Sequence, residues 1–76
     1  MNREALIRCI EVRLGRRNVK LEDRFFEDLG AESIDMLYIL ADIQAQTGIF
    51  VPEEILPDLN CAGDLYKYLE NLPNES

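Results

Sequence analysis

Phe25-Phe26-Glu27-Asp28-Leu29-Gly30-Ala31-Glu32-Ser33-Ile34-Asp35-Met36 is the run on which the fold turns. Two aromatic anchors lead into Asp28-Leu29-Gly30, which reads as a tight turn. The turn opens directly into helical spacing: Met36, Ile39, Leu40 and Ile43 stand at i, i+3, i+4 and i+7. This predicts a helix that begins at Ser33, ends near Thr47 and is stopped by Gly48.

Toward the N-terminus, Arg16 to Glu32 reads as a long connection, with Val19, Leu21, Phe25, Phe26 and Leu29 as anchors onto a core. Such a length is uncommon inside a small domain and points to a functional loop. Before it, Ala5, Leu6, Cys9, Ile10, Arg13 and Leu14 follow helical spacing over about residues 2–15, with Gly15 as the stop. Toward the C-terminus, Ile49-Phe50-Val51-Pro52 reads as extended, because a residue before proline avoids helical angles. A short third helix is expected at about Glu53–Leu56, with Pro52 suited to its first turn and Pro57 limiting it. A fourth is expected from Ala62 to Leu72, burying Leu65, Tyr66 and Leu69, capped by Asn60 and stopped by Pro73; residues 74–76 should fray. The expected fold is all-α: a small four-helix bundle, one domain over residues 1–76. Phe25, Ile43, Phe50, Val51, Ile55, Leu56 and Leu65 are its candidate core.

The chain has 76 residues, 47% of them hydrophobic and 30% charged, which is a globular composition near the lower size limit for an unaided core. Charge is divided unevenly. Residues 1–20 carry Arg3, Arg8, Arg13, Arg16, Arg17 and Lys20 against Glu4 and Glu11; the rest is acidic, with only Arg24 and Lys67 opposing, and the net charge is −7. A phosphate backbone would be repelled, so nucleic acid is not an expected partner. Acidity suits basic partner proteins, although it also serves simple solubility. No apolar run reaches the ~20 residues of a membrane span, and the N-terminus lacks a secretory segment, so a cytoplasmic, monomeric protein is expected.

No catalytic set assembles from these residues. The sequence contains no histidine, so a serine nucleophile lacks its usual base and a Cys/His zinc site is excluded; no metal site is expected. Cys9 and Cys61 stand far apart and read as reduced, partly buried thiols. Ser33 stands out. Alone, a serine at the head of a helix reads as an N-cap. Its setting adds a turn that would present the hydroxyl outward, at the positive end of a helix dipole where a phosphodiester is favoured. Asp35 places a carboxylate beside that hydroxyl.

Residues 25–52, Phe-x-x-Asp-Leu-Gly-Ala-Glu-Ser-Ile-Asp followed by an apolar helix and Gly-Ile-Phe-Val-Pro, resemble the acyl carrier protein family. The resemblance implies that Ser33 receives 4′-phosphopantetheine from coenzyme A through a separate phosphopantetheinyl transferase. The arm's thiol would then hold acyl chains as thioesters and pass them among acyl-transferring and ketoacyl synthase-type enzymes, the carrier itself catalysing nothing. It also implies docking through the second helix, where Glu32, Ile34, Asp35, Leu37, Tyr38, Ala41 and Asp42 are the candidates. An acyl chain would shelter between the second and third helices, beside Met36, Ile39, Leu40, Ile43, Ile55 and Leu56.

The chain departs from the family pattern at three places. Glu32 replaces the usual aspartate before the serine, keeping its charge. The second helix has few acids, with Tyr38 where an acid is usual and Gln44, Ala45 and Gln46 in place of an acidic cluster. Ile34, Leu37, Tyr38 and Ala41 therefore form a second apolar face, either a wider core contact or a docking face for dedicated partners. The connection after Gly15 is shorter and more basic than in the best-known fatty acid carriers. Fatty acid, lipid or polyketide-type synthesis is the expected setting; an aminoacyl or peptidyl carrier, or an interaction module that bears no arm, are the alternatives.

Overall fold

A computed structural model describes residues 1–72. Among them the chain forms helices α1 (Arg3–Leu14), α2 (Ser33–Thr47), a 3₁₀ helix η1 (Glu53–Asp58) and α3 (Ala62–Glu70), with no strand. The expected all-α bundle with a long first connection and a short third helix is the fold observed. Pro73 and residues 74–76, expected to stop and fray the last helix, lie outside the described residues.

Each helix end has a local cause. Asn2 caps α1, its Oδ1 accepting from the Ala5 amide at 2.8 Å. Gly15 closes α1 in the left-handed region (φ 65), which glycine enters without a Cβ penalty. Two caps and two ends differ from expectation; α3 stops at Glu70, where Leu72 was expected. The cap of α2 is Glu32, not Ser33, whose backbone is already helical; the Glu32 amide donates to Asp35 Oδ2 at 2.9 Å. The cap of α3 is Cys61 rather than Asn60, since the Asp64 carboxylate accepts from both amides (2.9 Å from Asn60, 3.3 Å from Cys61). Finally, η1 passes through Pro57 to Asp58, where proline was expected to limit it. The tighter i→i+3 pattern resumes beyond the missing N–H, with the Leu59 amide donating to the Leu56 carbonyl at 3.0 Å.

The core gathers Leu6, Cys9 and Ile10 from α1, Met36, Ile39, Leu40 and Ile43 from α2, and Ala62, Leu65 and Leu69 from α3. The long connection contributes Val19, Phe25, Leu29 and Ala31. Phe25 is wholly buried, worth about 1.5–3 kcal/mol of transfer free energy. Phe26, expected as a second anchor, is half exposed, since the turn that buries Phe25 sends its neighbour outward. Phe50, expected in the core, is 67% exposed. It lies in the extended segment before Pro52, where side chains alternate, so burying Val51 turns Phe50 to solvent. Ile55 and Leu56 are only half buried, and η1 has no fully buried residue.

The connection is pinned to the start of α3. Phe25 N donates to Asn60 O (3.0 Å), Ala62 N to Asp23 O (3.2 Å) and Gly63 N to Leu21 O (2.7 Å). Two first-turn amides of α3, which have no helical partner, are thus satisfied by loop carbonyls. This anchorage fixes the segment that leads to Ser33.

Candidate functional site

The turn before Ser33 is held from several sides. Asp28's carboxylate accepts from the Arg24 amide (2.8 Å) and from the Arg24 guanidinium (3.1 Å at Nε). Asp28's carbonyl accepts from Arg16 Nη2 at 2.9 Å. The hydrogen bonds from Arg24 hold the Asp28 carboxyl below its usual value of 3.8. Ala31 N donates to Phe25 O (2.9 Å), closing the loop over the buried ring. Gly30 has φ 67, and nothing lies within 4 Å of where a Cβ would stand.

Ser33 is exposed and occupies the first helical position of α2. The first i→i−4 bond of this end runs from Met36 N to Glu32 O (3.2 Å), so the Ser33 and Ile34 amides precede the helical ladder. Asp35 Oδ2 accepts from the Glu32 amide at 2.9 Å, which holds its carboxylate at the same helix head as Ser33. An exposed serine and first-turn N–H groups at the positive helix end fit a phosphodiester-linked arm.

The candidate docking residues share one side of α2. Ile34 and Tyr38 are about half exposed, Leu37 is 38% exposed and Ala41 is exposed, so the wider core contact weighed for this face is not observed. Glu32 and Asp35 stand at its head. Asp42 lies on the edge toward α1 and is engaged by Arg13, with Nε to Oδ2 and Nη2 to Oδ1 both at 3.0 Å. The same guanidinium lies over the Tyr38 ring, 4.9 Å from its centre.

Of the candidate acyl-contact residues, Met36, Ile39, Leu40 and Ile43 are buried in the core and Ile55 and Leu56 face it from η1. A groove of about 270 Å³ runs outside them between α2 and η1, floored by Leu37, Leu40, Ala41, Phe50 and Val51 and rimmed by Gln44, Glu53 and Glu54. Only Leu40 belongs to both sets. Sequence reading missed Arg13 and assigned Phe50 to the core: the first needs the α1–α2 crossing to reveal its partner, while the outward turn of the second was legible in the alternation about Val51. Both cysteines are free, and burial pushes the Cys9 thiol above its ordinary value, which favours the thiol over the thiolate.

These features define a small helical domain presenting one serine at a helix head. The phosphopantetheine attachment site family matches residues 4–69. An acyl carrier protein of Helicobacter acinonychis is 36% identical over 53 residues, covering 70% of this chain and 68% of the relative. Acyl carrier proteins of Wolinella succinogenes (35% over 52 residues; 68% of each chain) and Campylobacter hominis (33% over 54 residues; 71% and 68%) are similar to the same extent. The chain belongs to the acyl carrier protein family, whose members carry rather than catalyse. No helix among the described residues is long and apolar enough to cross a membrane.

Proposed function

We propose that Ser33 bears the 4′-phosphopantetheine arm, donated by coenzyme A through a phosphopantetheinyl transferase, and that the arm carries acyl chains as thioesters between enzymes of fatty acid, lipid or polyketide-type synthesis. The observation that carries this reading is the exposed Ser33 hydroxyl at the head of α2, behind a turn fixed by Arg16, Arg24 and Phe25. The chain's own work is presentation. The turn keeps the hydroxyl in the open, the first-turn amides favour the phosphate's charge, and α2 offers Ile34, Leu37, Tyr38 and Ala41 to transferases and ketoacyl synthase-type partners.

Incubation with coenzyme A and a broad-specificity transferase should add the mass of one arm, and Ser33→Ala should abolish it. An unchanged wild-type mass would sink the reading. Tyr38→Glu, which puts a charge in the middle of the apolar face, should raise KM for the protein's own partners while leaving the fold intact; indifferent kinetics would remove α2 as the docking face.

A further inference from the structure

The α2 face has a feature its apolar composition does not explain. Its edge toward α1 carries Asp42, an acid that a basic partner could read, yet Arg13 from α1 grips both carboxylate oxygens and lies over Tyr38. The paired side chains remain about a third exposed, so the contact sits within reach of a docking protein. A bidentate guanidinium–carboxylate pair satisfies the acid's oxygens and cancels its charge locally, where a lysine would supply only a point charge. The acids at the other margins, Glu32 beside Ser33 and Glu53 and Glu54 beyond the groove, have no such cation in contact among the described residues.

We infer that Arg13 sets partner choice at the α2 face by masking Asp42, so that the face selects partners presenting apolar side chains around Tyr38 and disfavours those that reach for an acid at that edge with lysine or arginine. This rests on α2 being the docking face. Arg13 makes no contact with Ser33 and acts through Asp42 and Tyr38; it is a specificity residue. Loss of its guanidinium would free the Asp42 carboxylate and release the Tyr38 ring together, turning an uncharged edge into an acidic one.

The probe is a phosphopantetheinyl transferase whose carrier-binding surface is rich in lysine and arginine, without coenzyme A, so that association is read apart from Ser33 chemistry. Anisotropy of the N-terminally labelled chain at low ionic strength gives the affinity. Arg13→Gln should bind roughly two- to five-fold tighter than wild type, the range of an exposed charge pair. Arg17→Gln, which changes net charge equally but lies in the connection, should bind with a clearly smaller gain. Adding Asp42→Asn to Arg13→Gln should remove the gain, and Arg13→Lys should fall between the parents. The inference is overturned if Arg13→Gln gains no more than Arg17→Gln, if the gain survives Asp42→Asn, or if no variant binds. Circular dichroism melts confirm that all variants are folded. Failure of the mass test on Ser33 with this pattern intact would instead overturn the attachment reading.

Discussion

Asp28 stands where the chain commits to presenting Ser33, and its carboxylate is the most heavily engaged acid in the connection. The Arg24 guanidinium and amide bind its carboxylate, and Arg16 holds its carbonyl. Because Arg24's hydrogen bonds depress the folded pKa below 3.8, the folded state binds fewer protons than the unfolded state near that pH. The associated stability is therefore present above the unfolded value and lost as pH falls through the folded one. Asp28→Asn should melt below wild type at pH 7, and the gap should close as pH drops under about 4. Melting curves from pH 7 to pH 3 test this; a constant gap would mean that the side chain acts through shape and not charge. The same side chains explain what single residues disclosed in the sequence. The Asp-Leu-Gly turn was legible from composition, whereas the hold of Arg16 on it was not, because the backbone carbonyl it meets has no sequence signature.

At the scale of elements, α2 was readable to the residue at both ends because a strong apolar period ran between a turn and a glycine. Its cap was misread, since Ser33 and Glu32 both suit a helix entrance and only the Asp35 contact to the Glu32 amide decides between them. The 3₁₀ helix was misjudged for a different reason: proline limits an α-helix by removing an i→i−4 donor, a rule that weakens when bonds run i→i+3. The docking of the connection on α3 was invisible in sequence, but it explains Gly63. A Cβ there would stand 3.1 Å from Leu21 O and 3.5 Å from Leu21 Cβ, against the carbonyl that accepts Gly63's own amide. Gly63→Ala sets a helix-propensity gain of about 1 kcal/mol against this crowding and should be close to neutral. Gly63→Val adds branched methyls with nowhere to go and should cost about 1–3 kcal/mol. Urea unfolding checks both; a valine variant as stable as wild type would show that the connection yields readily at this point.

For the whole molecule, the question is whether a net charge of −7 is tolerated or felt. The chain spans 36 × 24 × 20 Å, so acids on neighbouring elements lie within one or two Debye lengths of each other at ~0.1 M salt, where that length is about 10 Å. The cations address this only locally. Arg13 answers Asp42, and Arg24 answers Glu27 and Asp28, at contact distances near 3 Å. The acids of η1 and α3 (Glu53, Glu54, Asp58, Asp64 and Glu70) have only Lys67 among them in sequence. Added salt acts on both populations, but unequally. Pairs in contact lose little, because the charges are already closer than the screening length. Repulsions over ~10 Å and beyond lose most of their strength as the Debye length shrinks. Repulsion therefore fades faster than attraction, and sodium chloride from about 20 mM to 0.5 M should raise the melting temperature. Sodium chloride is the right salt, since sulfate would add its own strengthening of apolar burial. Glu53→Gln and Glu54→Gln together should raise the low-salt melting temperature and flatten the salt response. A melting temperature that falls with salt would mean that the ion pairs of Arg13 and Arg24 outweigh the crowding of acids, and that this charge imbalance carries no folding penalty.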